Sequence, residues 1–242
     1  MITFLLMSII GYSLYFSEKF DWPIETTPLF SVSFIASVLY VGALFNMLLI
    51  FSNIVFLIGL LALVLFIISL RKNCLKTLSK KFTFGFTCCL ILLALLELKL
   101  RSFHFTLWDE FSSWGPLVKN MLLTNALPLP SSKLRIMDYP PGSQLFLYYF
   151  LHFFRKFSEG YAYFFQDILV LSAILCFFQK ITWKRYKVGI IIFLTTYLIL
   201  FSILDYLWLS SVYVDGLVIL FVTAMYLIYF IAQNKRPALI ML

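Results

Sequence analysis

The chain has 242 residues, of which 62% are hydrophobic and only 12% charged. A soluble domain is nearer half apolar and a quarter charged, so the composition excludes an ordinary soluble domain and points to a polytopic membrane protein. The net charge of +8 comes with no basic stripe interleaved with aromatics, which argues against a nucleic-acid partner and for anchoring to anionic membrane lipid.

In chain order, residues 1–16 form a first apolar run without a recognisable signal-peptide cleavage site, read as a retained segment that is short for a span. A membrane-crossing helix needs roughly 20 apolar residues. Runs near that length occur at 29–51, 53–70, 82–100, 161–179, 188–207 and 212–232. The expected fold class is therefore all-α, a polytopic transmembrane helix bundle of six spans with a seventh at the start. Residues 1–81 supply N-terminal membrane helices, and 82–242 a core with a large loop at 101–160. No internal repeat or flexible linker divides them.

Basic residues set the expected orientation. Arg71, Lys72, Lys76, Lys80 and Lys81 crowd the 71–81 link, Lys180, Lys184, Arg185 and Lys187 the 180–187 link, and Lys235 and Arg236 follow the last span. Each pair of groups is separated by an even number of crossings, so all three can lie in the cytoplasm. Loop 101–160 and turn 206–211 then face outward. Glu97, Asp109, Glu110, Asp138, Glu159, Asp167, Asp205 and Asp215 fall in or near the outer half, while Glu18, Asp21 and Glu25 fall inside. Cys74, Cys88, Cys89 and Cys176 show no CxxC spacing, so neither a disulfide framework nor a structural zinc is expected.

The outward loop carries a polar island, WDEFSSWGPLVKNMLLTNALPLPSSKLRIMDYPPG, from Trp108 to Gly142. Ionisable residues concentrated at a membrane boundary commonly mark a working site. Two short amphipathic helices are predicted. In one, Phe111, Trp114, Leu117, Val118, Met121 and Leu122 recur at three- and four-residue spacing; in the other, over 143–157, Leu145, Phe146, Tyr149, Phe150 and Phe153 do so. Such helices can lie in the interface plane; a buried hairpin helix is the competing reading for 144–157.

Asp109 before the first helix suits an N-cap. Flanked by Trp108 and Trp114 between spans, the Asp109–Glu110 pair also suits general-base work toward a hydroxyl. Tyr139-Pro140-Pro141-Gly142 is either a stiff elbow or the wall of a cavity. Asp138 can cap, pair with Arg135 or join that pocket. Lys119, Lys133, Arg135, Arg155 and Lys156 can bind a phosphate or snorkel to lipid phosphates. His104 and His152 show no metal-ligand spacing, so no metal ligand is assigned; the cofactor is unknown, and a divalent metal stays an option. Asp215 lies a few residues into the last run. It either pairs or caps a helix broken at Gly216, or faces the same outer cavity as Asp109, with Asp205 a weaker candidate for that cavity.

At these residues the sequence resembles the GT-C superfamily, integral membrane glycosyltransferases that use polyprenyl-phosphate or dolichyl-phosphate sugars. The nearest branches are protein mannosyltransferase and aminoarabinose-transferase relatives and bacterial membrane proteins with a WDE…YPPG pattern. The likeness covers about 82–232 and rests on WDEFSSWG, YPPG and a later YVDG. It implies that Asp109 is the base or acceptor-orienting carboxylate and Glu110 its structural or acceptor-binding neighbour. It also implies that Tyr139 to Gly142 shape the cavity and that Asp215 is a later acidic position near it. Trp108, Trp114, Lys119, Arg135 and Asp138 complete the expected substrate-binding set. The expected partners are membrane lipid and a lipid-linked sugar donor, with no expectation about oligomeric state. The sequence stops at PALIML as if another helix were starting, so an N-terminal fragment or a reduced member is expected. No phosphate-binding loop of the GxxxxGK[ST] or GxGxxG type is present, as suits a donor that is not a nucleotide sugar. A transporter or flippase, or a noncatalytic membrane subunit, is the alternative.

Overall fold

The long apolar runs are mostly helical over their described residues, though the run at 29–51 is broken at 45–47. The computed structural model describes residues 2–70, 74–128, 134, 140–154, 156–203 and 211–231, and no strand occurs among them. The helices are α1 (Ile2–Lys19), α2 (Thr27–Leu44), α3 (Leu48–Ser69), α4 (Cys74–Lys81), α5 (Phe84–Leu100), α6 (Gly115–Thr124), α7 (Gly142–Leu151), α8 (Glu159–Leu175), α9 (Tyr186–Ile203) and α10 (Asp215–Ile231). Local signals place their ends. Thr83 and Ser158 cap α5 and α8, accepting from Phe86 N–H at 3.4 Å and Tyr161 N–H at 3.3 Å. Asn46 and Asn125 adopt left-handed backbone just beyond α2 and α6, a conformation Asn tolerates better than most residues. Among the described residues three helical stretches are long and apolar enough to cross a membrane: Thr27–Leu44, Leu48–Ser69 and Glu159–Phe178, where a 3-10 turn extends α8.

Two packing centres organise the bundle. α1 lies closest to α3, because Gly11 and Gly59 let the two backbones meet. A Cβ on Gly59 would come within 2.8 Å of the Ser8 carbonyl oxygen, and Tyr12 Oη donates to the Val55 carbonyl at 2.6 Å. The outer face of α3, by contrast, exposes Ile50, Ile54, Leu57, Leu61 and Ile68 as a continuous apolar strip, which suits a lipid neighbour.

The second centre is α8, which packs against α2, α5, α7 and α10. Beside it α7 is buried on every side from Ser143 to Leu151. It is the hairpin-like buried helix rather than one lying along a surface, and it ends at Leu151, short of the predicted 157. Its polar tips find partners inside: Tyr149 Oη donates to Ser8 Oγ at 2.9 Å and Tyr148 Oη to Asn125 Oδ1 at 2.6 Å.

Contacts between turns group the helix ends. Lys81 Nζ donates to Ser17 Oγ at 2.8 Å and pairs with Glu18 at 3.3 Å, and Trp183 Nε1 donates to the Phe82 carbonyl at 2.9 Å. The described parts of the two basic links therefore lie at one end. The 101–110 loop leaves α5 about 25 Å away, at 1.5 Å per residue along that helix.

A buried acid sits at the basic end. Glu25, in the turn between α1 and α2, is only 3% exposed. Burial pushes its carboxyl up to about 7, against the opposing pull of the Thr83 hydroxyl and the Lys81 ammonium. A folded-state value above the unfolded one means that the native protein binds the extra proton, so stability falls as pH rises from about 4.5 to about 7. The displacement corresponds to roughly 3 kcal/mol. Thermal unfolding in detergent should therefore show wild type more stable at pH 5 than at pH 8, and Glu25→Gln should flatten that slope. Identical slopes in the two proteins would assign the pH dependence elsewhere.

Candidate active site around Asp109 and Glu110

Pro116 shapes the segment that carries the acidic pair. It has no N–H, and its ring crowds the carbonyl four residues back, that of Ser112. The turn before it widens: Glu110–Trp114 is π-helical, with the Gly115 N–H donating to the Glu110 carbonyl oxygen five residues earlier. Gly115 is needed there because a Cβ would meet that oxygen at 2.5 Å and the Phe105 ring as closely. Such π-turns within helices are frequent at functional sites.

The turn sends the two acids to different environments. Glu110 is fully buried. Its Oε2 accepts from the backbone N–H groups of Thr106 and Leu107, both at 3.0 Å, and from Tyr163 Oη at 2.6 Å. Its Oε1 accepts from the Val212 N–H at 3.3 Å. A carboxylate is an acceptor-only group, and here every neighbour on those oxygens is a donor. Glu110 thereby ties the loop after α5 to α8 and to the segment that opens α10. Glu159 reinforces the same loop, accepting from Phe105 N–H at 3.0 Å.

Asp109 is only partly buried. It occupies the N-cap position of the π-turn, yet its backbone is helical and its side chain makes no capping bond, so the capping reading is not the geometry adopted. Its carboxylate faces Tyr213. Burial, and then the charge of Asp109, push the Tyr213 phenol above its ordinary value. Tyr213 is held on its backbone, its N–H donating to Ser211 Oγ at 3.1 Å and its carbonyl accepting from Gln166 Nε2 at 3.1 Å. A carboxylate beside a phenol can take a proton from a hydroxyl while the phenol orients the incoming group.

Asp215 follows two residues later. It is the first residue of α10 and exposed, rather than several residues inside a span, and the helix runs through Gly216 without a break. Asp215 edges a mostly apolar groove of about 430 Å³ between α2 and α10, whose lining includes Ala36, Ser143, Leu169 and Phe221.

The remaining expected residues divide. Trp108 is 72% exposed, whereas Trp114 packs into the core. Lys119 points to Glu159 at 3.7 Å and lies 4.8 Å over the Phe157 ring. Arg135, Asp138 and Tyr139 fall outside the described residues, as do Lys133, Arg155 and Asp205. His152 is engaged with Ser52 Oγ at 3.3 Å and Asn53 Oδ1 at 3.2 Å. Among the described residues no three His, Cys, Asp or Glu side chains gather as a metal site. Tyr163, Gln166 and Tyr213 belong to the site without having been singled out in the sequence. Gln166-Asp167 was nonetheless visible as a polar pair inside an apolar run, which is the general mark of a site in a membrane helix; both are buried. Comparison with protein-family models, curated proteins and solved structures finds no match.

Proposed function

We propose that this chain is a membrane glycosyltransferase that moves a sugar from a polyprenyl-phosphate donor to an acceptor hydroxyl on the outer face of the cytoplasmic membrane. In this reading the fold is a GT-C-like polytopic bundle with loop 101–160 extracytoplasmic, and Asp109 is the base. Asp109 takes the acceptor proton, the acceptor oxygen bonds to the anomeric carbon, and the lipid phosphate leaves with the electrons of the broken bond. One-step displacement inverts the anomeric centre. Glu110 positions the loop, and Trp108 suits headgroup depth, where exposed tryptophans concentrate.

The observation that carries the reading is the Glu110 clamp. It fixes a partly exposed carboxylate against Tyr213, at the end of the bundle away from the basic links and next to an apolar groove. Purified protein incubated with polyprenyl-phosphate sugars and hydroxyl acceptors is expected to release polyprenyl phosphate in proportion to glycosylated product. Failure with every sugar class, from a protein that remains folded, would remove the proposal.

Transport is the second reading, and buried Asp167 in α8 is what favours it. It predicts substrate movement across sealed vesicles that Asp167→Asn abolishes and Asp109→Asn spares.

A further inference from the structure

One end of the groove between α2 and α10 is built from the start of α7. The residue in the N-cap position is Pro141, which has no side-chain oxygen to offer. The first helical bond runs from the Leu145 N–H to the Pro141 carbonyl at 2.8 Å. The N–H groups of Gly142, Ser143 and Gln144 thus precede any intrahelical partner, and among the described residues no side chain caps the positive end of the helix dipole. Space is open above Gly142, where an added Cβ would meet nothing within 4 Å.

A second, independent feature marks this end as a place for a ligand. Ser143 is more than nine-tenths buried and lines the groove, and among the described residues its Oγ has no hydrogen-bond partner. A buried hydroxyl left unpaired in the empty protein is costly unless a ligand completes it. Away from this end the walls are mostly apolar, with Val32 and Ala36 on α2, Leu169 on α8, and Leu217 and Phe221 on α10; Ser33 and Ser37 on α2 are polar, Ser37 Oγ donating to the Ser33 carbonyl at 2.8 Å. No Lys or Arg lines the groove among the described residues. Donors for an anion therefore come from backbone N–H groups and a serine, as at other helix-terminal phosphate sites. Asp215 on the opposite rim is an acceptor. Donors on one side and an acceptor on the other fit a phosphate that carries a hydroxyl-bearing group.

We infer that this groove binds a single-chain lipid phosphate, its chain between α2 and α10 and its phosphate on the α7 N-terminus and Ser143 Oγ. The inference rests on the proposed lipid-linked donor and assigns where that donor sits. One narrow apolar slot of about 430 Å³ favours a single chain over a two-chain phospholipid.

Binding is the test, because it is read without transfer. The full chain in detergent is titrated with farnesyl phosphate by native mass spectrometry, with farnesol and two-chain phosphatidic acid as comparison ligands. Farnesol is expected to bind at least tenfold more weakly, and phosphatidic acid to displace little farnesyl phosphate at equal concentration. Ser143→Ala should weaken binding about tenfold, consistent with one hydrogen bond to a charged group. Ala36→Trp should block the chain; if it unfolds the protein, Val218→Trp, on the exposed rim of the groove, replaces it. No binding by wild type, equal affinity for farnesol, equal competition by phosphatidic acid, or unchanged binding in the tryptophan variants would each overturn the inference. The two proposals fail separately. Sugar transfer undiminished in Ala36→Trp sinks the groove and leaves the transferase, whereas groove binding with no transfer to any acceptor sinks the transferase and leaves the groove.

Discussion

Glu110→Ala is expected to destabilise the protein by about 3–5 kcal/mol, the range for removing one partner from a buried charged network. Four donors lose their acceptor at once: the N–H groups of Thr106, Leu107 and Val212, and Tyr163 Oη. Each bond to a charged group is worth about 1.5–3 kcal/mol singly, and the sum is lower because the loop relaxes toward water when the clamp opens. Glu110→Gln should cost only about 1–2 kcal/mol. Its remaining oxygen can keep Thr106, Leu107 and Tyr163, and only the longer contact to Val212 then faces an amide donor. Thermal unfolding of the purified variants, in one detergent, gives the comparison. Wild-type stability in Glu110→Ala would show that the loop is held by its apolar contacts alone, Phe105 and Trp114 included.

Hydrophobic run length located the long helices because helix formation in an apolar chain leaves few alternatives. The expected 82–100 became Phe84–Leu100, and 188–207 is helical over its described residues, within Tyr186–Ile203. The first run, short as it is, forms α1 and continues to Lys19. The expected boundary at residue 52 was misplaced, since the chain turns at residues 45–47 instead, where Asn46 takes a left-handed conformation. One asparagine among Phe45, Met47 and Leu48 is a weak signal against so apolar a background. Helix α7 was ambiguous for a different reason. Gln144 and Tyr148 fall outside the apolar set of Leu145, Phe146, Tyr149 and Phe150, yet they are buried as well, and the tyrosine hydroxyls find Asn125 and Ser8 across the bundle. Periodicity reports polarity and cannot report a distant partner.

The candidate site was legible as a pair of acids, but the surroundings of each acid were not. Two adjacent carboxylates beside tryptophans are visible to any reader of the chain. Their different surroundings depend on Tyr163 and Val212, 53 and 102 residues beyond Glu110, and on the π-turn ahead of Pro116. Neither spacing nor composition encodes those meetings. Of the cations expected at a phosphate, Lys133, Arg135 and Arg155 fall outside the described residues. Lys119 is turned to Glu159, and the groove's described lining offers backbone donors instead.

Asp109→Asn is expected to lower the rate of sugar transfer by about 100- to 10,000-fold, the usual contribution of a positioned general base. The substitution keeps size and most hydrogen bonding and removes the capacity to take up a proton. Stability should change by less than about 1 kcal/mol, since Asp109 is partly exposed and makes no cap bond that a change could break. That separates it from Glu110→Ala, where activity and stability fall together. Binding of the lipid phosphate should persist in Asp109→Asn, because the groove is walled by α2, α8 and α10 and headed by α7. Tyr213→Phe gives an intermediate test: if the phenol only orients the acceptor, the acceptor KM should rise more than kcat falls. Asp109→Asn with full transfer activity at normal abundance would dismiss Asp109 as the base. Asp215, two residues past Tyr213 and exposed at the rim of the groove, would then be the carboxylate to replace next.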